Sequence, residues 1–439
     1  MNYKQFISKA TAAGISPCEI TYDSEEELSF SVFRHEIDNY SISRQSSVRA
    51  KGVCGGKMGS ASTEKTDASA MDYLIDSIRL GARYSEKEEV PEIFRGSEKY
   101  TKKNVFSKAI AEVSAERKKE LLFALEQAAY DADSRVTDVQ AQYDESASEK
   151  VLVNSYGLSL KQKSNYSVFV LQVVCKDGDQ VKSGFDFAFC TDPGTFDPKP
   201  FAEKTVQAVT ASFGGVSAPS AAYKCVLSPK VTASFLSAVV NAGFSAENIQ
   251  KQSSVLIGRL GQKVFSSHVT VEEKPLMKNC FFRSFDDEGV ACRDKRLVDK
   301  GTVKTWLYNL ETARKDGTQP TGNGFGENKI GIRAVNLCLR PGRATEEELF
   351  EKVKNGVYIT SVSGLHAGLN PQSGDFSLEA QGFLIKDGKK AEAMNLFTCA
   401  GNIYKVFETV SAVANNPETS VSGVTAPSVQ VRSLKISSL

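Results

Sequence analysis

The sequence predicts an α+β fold, with N-terminal α/β segments carrying antiparallel sheets and a large strand-rich C-terminal domain. Three observations predict it. Period-two alternation of apolar and polar residues recurs along the chain, as in Tyr166/Val168/Val170 and Phe185/Phe187/Phe189. The turns between such runs, Ser155–Gly157 and Asp177-Gly178-Asp179, are too short for parallel crossovers, so the strands pair antiparallel. Helical stripes stand apart from the runs of strands and do not alternate with them one for one. A chain of 439 residues, 41% apolar and 24% charged, has the composition of an ordinary globular protein with two or three domains. The expected boundaries give a domain with linker at 1–105, a central domain at 106–221 and a last domain at 222–439.

The first segment opens with a helix whose face is Tyr3, Phe6, Ile7 and Ala10, ended by Gly14. Two strands follow, Cys18/Ile20/Tyr22 and Leu28/Phe30/Val32. The glycines at 52, 55, 56 and 59 predict a hairpin with a Gly-rich turn; without G-K-[ST] it is no phosphate loop. Ala70, Leu74, Ile75, Ile78 and Ala82 line the next helix. Residues 86–105, charged and containing Pro91, read as a linker. Ser114 starts a helix with Leu121, Leu122, Leu125, Ala128 and Ala129 on one side. Short strands at Val151/Val153, Leu158/Leu160 and the two runs above form an antiparallel meander. Asp197-Pro198 begins a helix through Val206 and Val209, and V-S-A-P-S-A (216–221) marks a boundary.

The last domain begins with the helix Ser228–Gly243. Ser228 is a good N-cap and Pro229 suits the first helical position. Val231, Phe235 and Val239, with Leu236 and Val240, give one apolar stripe, and no His, Cys, Asp or Glu occurs before Ala246. Strands are expected around Val264, Val269 and Val271, near Ile332–Leu339, and at 357–363, 376–385 and 391–399. Lys300-Gly301 and Asp387-Gly388 turn hairpins. Thr345 and Glu348 are spaced as a capping box. A helix is expected over Ile403, Val406, Phe407, Val410 and Val413, and a final strand from Ser428 to Ile436.

A net charge of +1 argues against a nucleic-acid footprint. The nine cysteines are scattered and form no C-x-x-C, as in a reducing compartment without structural disulfides. The first residues lack the apolar core of a secretory signal, and no run approaches the ~18 apolar residues of a spanning helix. A cytoplasmic location is the expectation.

Few residues carry chemistry. His35-Glu36 begins like H-E-x-x-H, but position 39 is Asn and residues four apart on a strand lie ~13 Å apart. His268 has no evident partner. His366 and Asn370 lie in G-L-H-A-G-L-N-P-Q-S-G-D, a polar loop of a kind that often meets ligands. Asp286-Asp287-Glu288 is an acidic turn able to face a cation or to stand in solvent. Gly322, Asn323 and Gly324 sit in a Gly-rich loop lacking the strand–helix context of a dinucleotide site. No G-x-S-x-G is present. These eight positions, 286–288, 322–324, 366 and 370, are the candidate substrate or partner contacts.

The order and spacing of several motifs resemble the TldD/PmbA family, once named modulators of DNA gyrase. They are G-V-C-G-G-K-M-G-S-A-S-T (52–63), S-S-V-L-I-G-R-L-G (253–261), F-D-D-E-G-V (285–290), W-L-Y-N-L-E-T-A-R (306–314) and T-G-N-G (321–324). L-R-P-G (339–342), G-V-Y-I-T (356–360), the 364–377 loop, A-Q-G-F-L-I-K-D-G-K (380–389) and A-G-N-I-Y (400–404) continue the series. The resemblance covers nearly the whole chain.

One branch of that family resembles a zinc peptidase, with H-E-x-x-x-H on a helix and a Cys near the C-terminus. Counted from Ser254-Val255, those helix positions fall here on Ser237, Ala238 and Ala242, and Val410–Val429 contains no Cys. The chain therefore resembles the PmbA (TldE) branch. The resemblance implies no catalytic or metal-binding residue and no cofactor in this chain. Zinc belongs to a TldD-type partner, in a pair that degrades unfolded peptides or trims peptide precursors. It leaves open a heterodimer or a homodimer. A self-sufficient homodimeric hydrolase using the acidic turn or His366, and a non-enzymatic peptide-binding or regulatory protein, are the alternatives. No membrane and no direct nucleic-acid contact are expected.

Overall fold

The computed structural model describes residues 1–86, 92–327 and 329–438. It divides into two compact units, Met1–Val209 with Lys278–Ala291, and Thr210–Met277 with Cys292–Leu439.

In chain order the first unit contains α1 (Tyr3–Ala12), β1 (Cys18–Phe33), β2 (Glu36–Cys54), β3 (Lys57–Thr63), α2 (Ala70–Tyr84), α3 (Ala109–Glu112) and α4 (Ala115–Ala132). β4 (Val136–Asn154), β5 (Ser159–Asp177), β6 (Gln180–Cys190) and α5 (Pro198–Thr210) follow. The strands form one antiparallel sheet in the order β3-β2-β1-β4-β5-β6, so residues from 1–105 and from 106–221 share a single sheet. The expected meander is present, but its strands are longer than the alternation suggests. Cys18–Phe33 is one strand, not two. Its middle, Glu25-Glu26-Glu27, breaks the apolar alternation, yet each residue stays in the ladder between β2 and β4. Cross-strand partners hold the charges: Arg44 lies 3.0 Å from Glu26 and Ser43 donates to Glu27. Leu160 and Tyr166–Val170 likewise share β5. α1 and α2 pack Phe6, Leu74 and Ile78 against Ile20, Val48 and Val153. Of the expected linker, Pro91 lies outside the described residues, and 92–105 forms no helix or strand.

The second unit runs β7 (Ala221–Leu227), α6 (Pro229–Gly243), α7 (Ala246–Gln250), β8 (Val271–Glu273), β9 (Lys295–Asp299), β10 (Thr302–Val303), α8 (Leu310–Lys315), β11 (Gly324–Phe325), β12 (Gly331–Ile332) and β13 (Leu337–Leu339). α9 (Glu346–Val353), β14 (Gly356–Ser363), α10 (Leu365–Gly368), β15 (Asp375–Lys386), β16 (Lys389–Ala393) and β17 (Phe397–Asn402) come next. α11 (Ile403–Glu408), β18 (Val410–Val413), β19 (Glu418–Thr419), β20 (Val424–Ala426) and β21 (Val429–Ser438) complete it. Strands β14, β7, β21, β17 and β15 pair in sequence, and β15 pairs back onto β14, closing a small barrel. A second sheet has the order β10-β9-β8-β13-β20-β19. α6 opens the long connection between the parallel strands β7 and β14, and its whole apolar stripe is buried. Phe235 meets Phe376 of β15 with ring centroids 4.9 Å apart. The largest core of this unit gathers around that stripe.

Two expectations are corrected here. The helix over 403–413 stops at Glu408, and Val410–Val413 is a strand on β21. Valines three apart fit a helical face, but β-branched residues beside an available strand edge settle for the sheet, here with a register shift between Val410 and Ala412. Of Val264, Val269 and Val271, only Val271 lies in a strand. All nine cysteines are free thiols. No helix among the described residues is long and apolar enough to cross a membrane.

Candidate functional site

Along the margin of its buried stripe, α6 presents Ser237, Ala238 and Ala242, all half-buried, with Ala238 packed against the core. Ser228 anchors the start of the helix: its Oγ accepts from Val231 N at 3.4 Å and donates to Thr360 O of β14 at 2.9 Å. Ser237 Oγ accepts from Asn241 Nδ2 at 3.3 Å, one turn on along the same face. Asn248 Nδ2 donates to the carbonyls of Asn241 and Ala242 at 3.2 and 3.0 Å and closes the helix end. A catalytic zinc needs three strong protein donors and an open position. Two methyl groups and one hydroxyl do not fit that ion. Among the described residues no three His, Cys, Asp or Glu side chains gather closely enough to hold a metal.

The loop 364–377 stands beside this helix end through Tyr404 of α11. The Tyr404 ring lies against Gly243, where an added Cβ would come within 3.3 Å of it. The same ring packs on Gly374, which has φ +81° and where a Cβ would sit 2.5 Å from Cδ2, so only glycine fits. Tyr404 is 8% exposed and its buried hydroxyl has no hydrogen-bond partner among the described residues. Burial pushes its pKa up to about 12. Asn402, which caps α11, donates to Ser373 O at 2.8 Å and to Asp375 Oδ1 at 2.9 Å. Asn370 shapes the loop from within, its Oδ1 accepting from Gln372 N and Ser373 N at 3.0 and 3.2 Å. His366 is exposed on the short α10. An open cleft of about 670 Å³ follows the loop, lined by Asn370, Pro371, Gln372 and Asp375 among others. His366 and Asn370 thus share one exposed loop, tied to the end of α6 by Tyr404.

Asn323 is placed differently. It is fully buried, and its amide is saturated. Nδ2 donates to Glu273 Oε1 at 2.6 Å and to Arg333 O at 2.9 Å; Oδ1 accepts from Thr321 Oγ1 at 2.7 Å and Lys295 Nζ at 3.1 Å. Lys295 also pairs with the buried Glu273 at 2.5 Å. An amide with both protons and both lone pairs engaged has nothing left for a ligand. The loop Gly322–Gly324 therefore serves to bring Asn323 onto a buried ion pair.

The acidic turn belongs to the first unit. Asp286 is fully buried and its Oδ1 accepts from Glu288 N at 3.0 Å and Val290 N at 2.9 Å. Asp287 pairs with Lys150, which also reaches Asp23 at 3.1 Å. Lys51 lies near Glu288 and Asp286 and pairs with Glu19 at 3.0 Å. Burial opposes its charge, but Glu19 and then these two carboxylates outweigh burial and raise its pKa. His35 stands in the β1–β2 turn with φ +60°, its Nδ1 3.1 Å from the buried Glu126.

Sequence reasoning missed Tyr404 and the Glu273–Lys295 pair. Ala-Gly-Asn-Ile-Tyr (400–404) held the signal for the first, since Asn before a helix is a cap. Nothing local marks the second, whose two members and their clasp Asn323 come from three separate stretches.

Comparisons with known proteins agree with this architecture. Residues 220–438 match the PmbA/TldA metallopeptidase C-terminal domain, and 108–212 match the central domain of the same family. A protein named metalloprotease from Methanothermobacter thermautotrophicus is 28% identical, over 71% of this chain and 69% of its own length. The crystal structure of a Thermotoga maritima protein described as a modulator of a DNA gyrase superposes with TM-score 0.92 at 27% identity, covering 99% of both chains. TldE from Thermococcus kodakarensis shares the fold, with TM-score 0.91 at 23% identity over 99% of each chain.

Proposed function

The chain belongs to the PmbA/TldD family of metallopeptidase-like proteins, which gives it a peptidase-related role, and from that premise we propose that it is the metal-free subunit of a two-component peptidase. A TldD-type partner supplies the zinc and the general base. This chain supplies fold and substrate contacts, and the pair acts on unfolded peptides or peptide precursors in the cytoplasm. The observation that carries the reading is α6. At the three positions where the sister branch is expected to bear H-E-x-x-x-H, this helix has Ser237, Ala238 and Ala242. The helix is otherwise capped, buried along its stripe and joined to the barrel. Such a helix keeps the architecture of a metal helix while offering no ligand set. Extended substrate is held by strand addition at sheet edges, which reads the peptide backbone more than its side chains.

The test uses the purified full chain, alone and mixed with a TldD-type protein. Metal analysis of the lone chain should find no stoichiometric zinc, and an unfolded peptide should be cut only by the mixture. Stoichiometric zinc together with cleavage by the lone chain would sink the proposal. Loss of lone-chain cleavage on substituting His366 or the acidic turn would then favour the self-sufficient hydrolase.

A further inference from the structure

A cleft of about 290 Å³ opens in the second unit, separate from α6 and the 364–377 loop. The residues that matter in its lining are His268, Thr270, Arg340, Arg343, Lys352 and Ser411. They come from four stretches: the approach to β8, the Leu339–Ala344 turn after β13, the last turn of α9, and β18. No carboxylate lines it. Arg340 is held in place from behind, its Nη2 2.6 Å from Glu272 Oε1. Glu272 is itself shared with Lys274 at 2.9 Å and Arg296 at 3.2 Å, so it cannot neutralise the three cations around it. Arg343 and Lys352 make no ion pair among the described residues. Thr270 Oγ1 accepts from Lys300 N at 3.1 Å, which leaves its own proton to donate. Gly342 shapes the wall. A Cβ there would lie 1.9 Å from Val413 O, so only glycine lets the turn sit this close to β18.

We propose that this cleft binds a compact phosphate dianion, free or as the phosphoryl group of a small ester. A single carboxylate would satisfy one guanidinium fork and leave the other cations crowded. A tetrahedral dianion can take charge-assisted hydrogen bonds from Arg340, Arg343 and Lys352 together, with Thr270 as a neutral donor. The volume sits at the lower end of ligand cavities, which suits a phosphoryl group and a few further atoms. The site is independent of the peptidase reading, since it uses none of the residues that reading rests on.

The test is calorimetric titration of the full chain at constant ionic strength with inorganic phosphate, glycerol phosphate, acetate and chloride. Saturable binding of phosphate or glycerol phosphate at one site, absent for acetate and chloride, is expected. The double variant R343A/K352A should weaken it by about tenfold or more. Both side chains are exposed, so an unchanged melting temperature will show that the variant folds. Tighter binding of glycerol phosphate would identify an ester as the ligand, and equal or weaker binding the free ion. No saturable heat with either phosphate, equal binding of acetate, or a double variant that binds like the parent would overturn the proposal.

Discussion

Glu272 and Glu273 are neighbours on β8, and the strand's period of two sends them to opposite faces. Glu273 enters the core and meets Lys295 and Asn323. Glu272 turns outward to Lys274, Arg296 and Arg340. Burial alone would raise the pKa of Glu272, but the hydrogen bonds and charges of Lys274, Arg340 and Arg296 prevail and lower it to about 2. The sign of the pH effect follows. A carboxyl depressed in the folded state contributes stability that is present in full above its unfolded pKa, ~4.3, and is lost as pH falls toward 2. Urea unfolding of wild type and Glu272→Gln should differ by on the order of 2 kcal/mol at pH 7, a gap that narrows below about pH 4. A gap that stays constant down to pH 2.5 would contradict this account.

At the scale of the element, α6 shows how a helix is fixed at both ends and along one face. Ser228 caps its start and also ties it to β14; the Phe235 stripe binds it to the barrel; Asn248 closes its end. Ser228→Ala removes both hydrogen bonds of the cap and should cost about 1–2 kcal/mol in chemical unfolding. No measurable loss would mean that packing alone sets the helix start. The side chains of Ser237 and Ala242 take no part in these anchors; Ala242 contributes only its carbonyl, and Ala238 packs at the margin of the core. Small residues there fit the half-buried surface of the helix without disturbing its packing.

For the molecule as a whole, the closed barrel makes the last strand indispensable. β21 lies between β7 and β17 and also holds β18, and Val429, Val431, Leu434 and Ile436 are buried. A chain truncated after Pro427 opens the ring and exposes the core around α6. It should lose near-UV circular dichroism and become sensitive to protease. A truncated chain as resistant as the full one would show that the ring is not needed for folding.

Sequence by itself determined the α+β class, the meander, the capped helix at Ser228, the capping box at Thr345 and the absence of metal ligands on α6. Each is a local pattern, set by period, turn chemistry or residue type within a few positions. Tertiary structure decided what local pattern cannot hold. Glu25–Glu27 stays in a strand because β2 and β4 flank it, and Val410–Val413 becomes a strand because β21 offers an edge. Asn323 looked like a loop residue open to ligands and is a buried clasp on Glu273, 50 positions away. The cleft of Arg340, Arg343 and Lys352 was invisible for the same reason: its lining spans residues 268 to 413, and only folding sums their charges in one place.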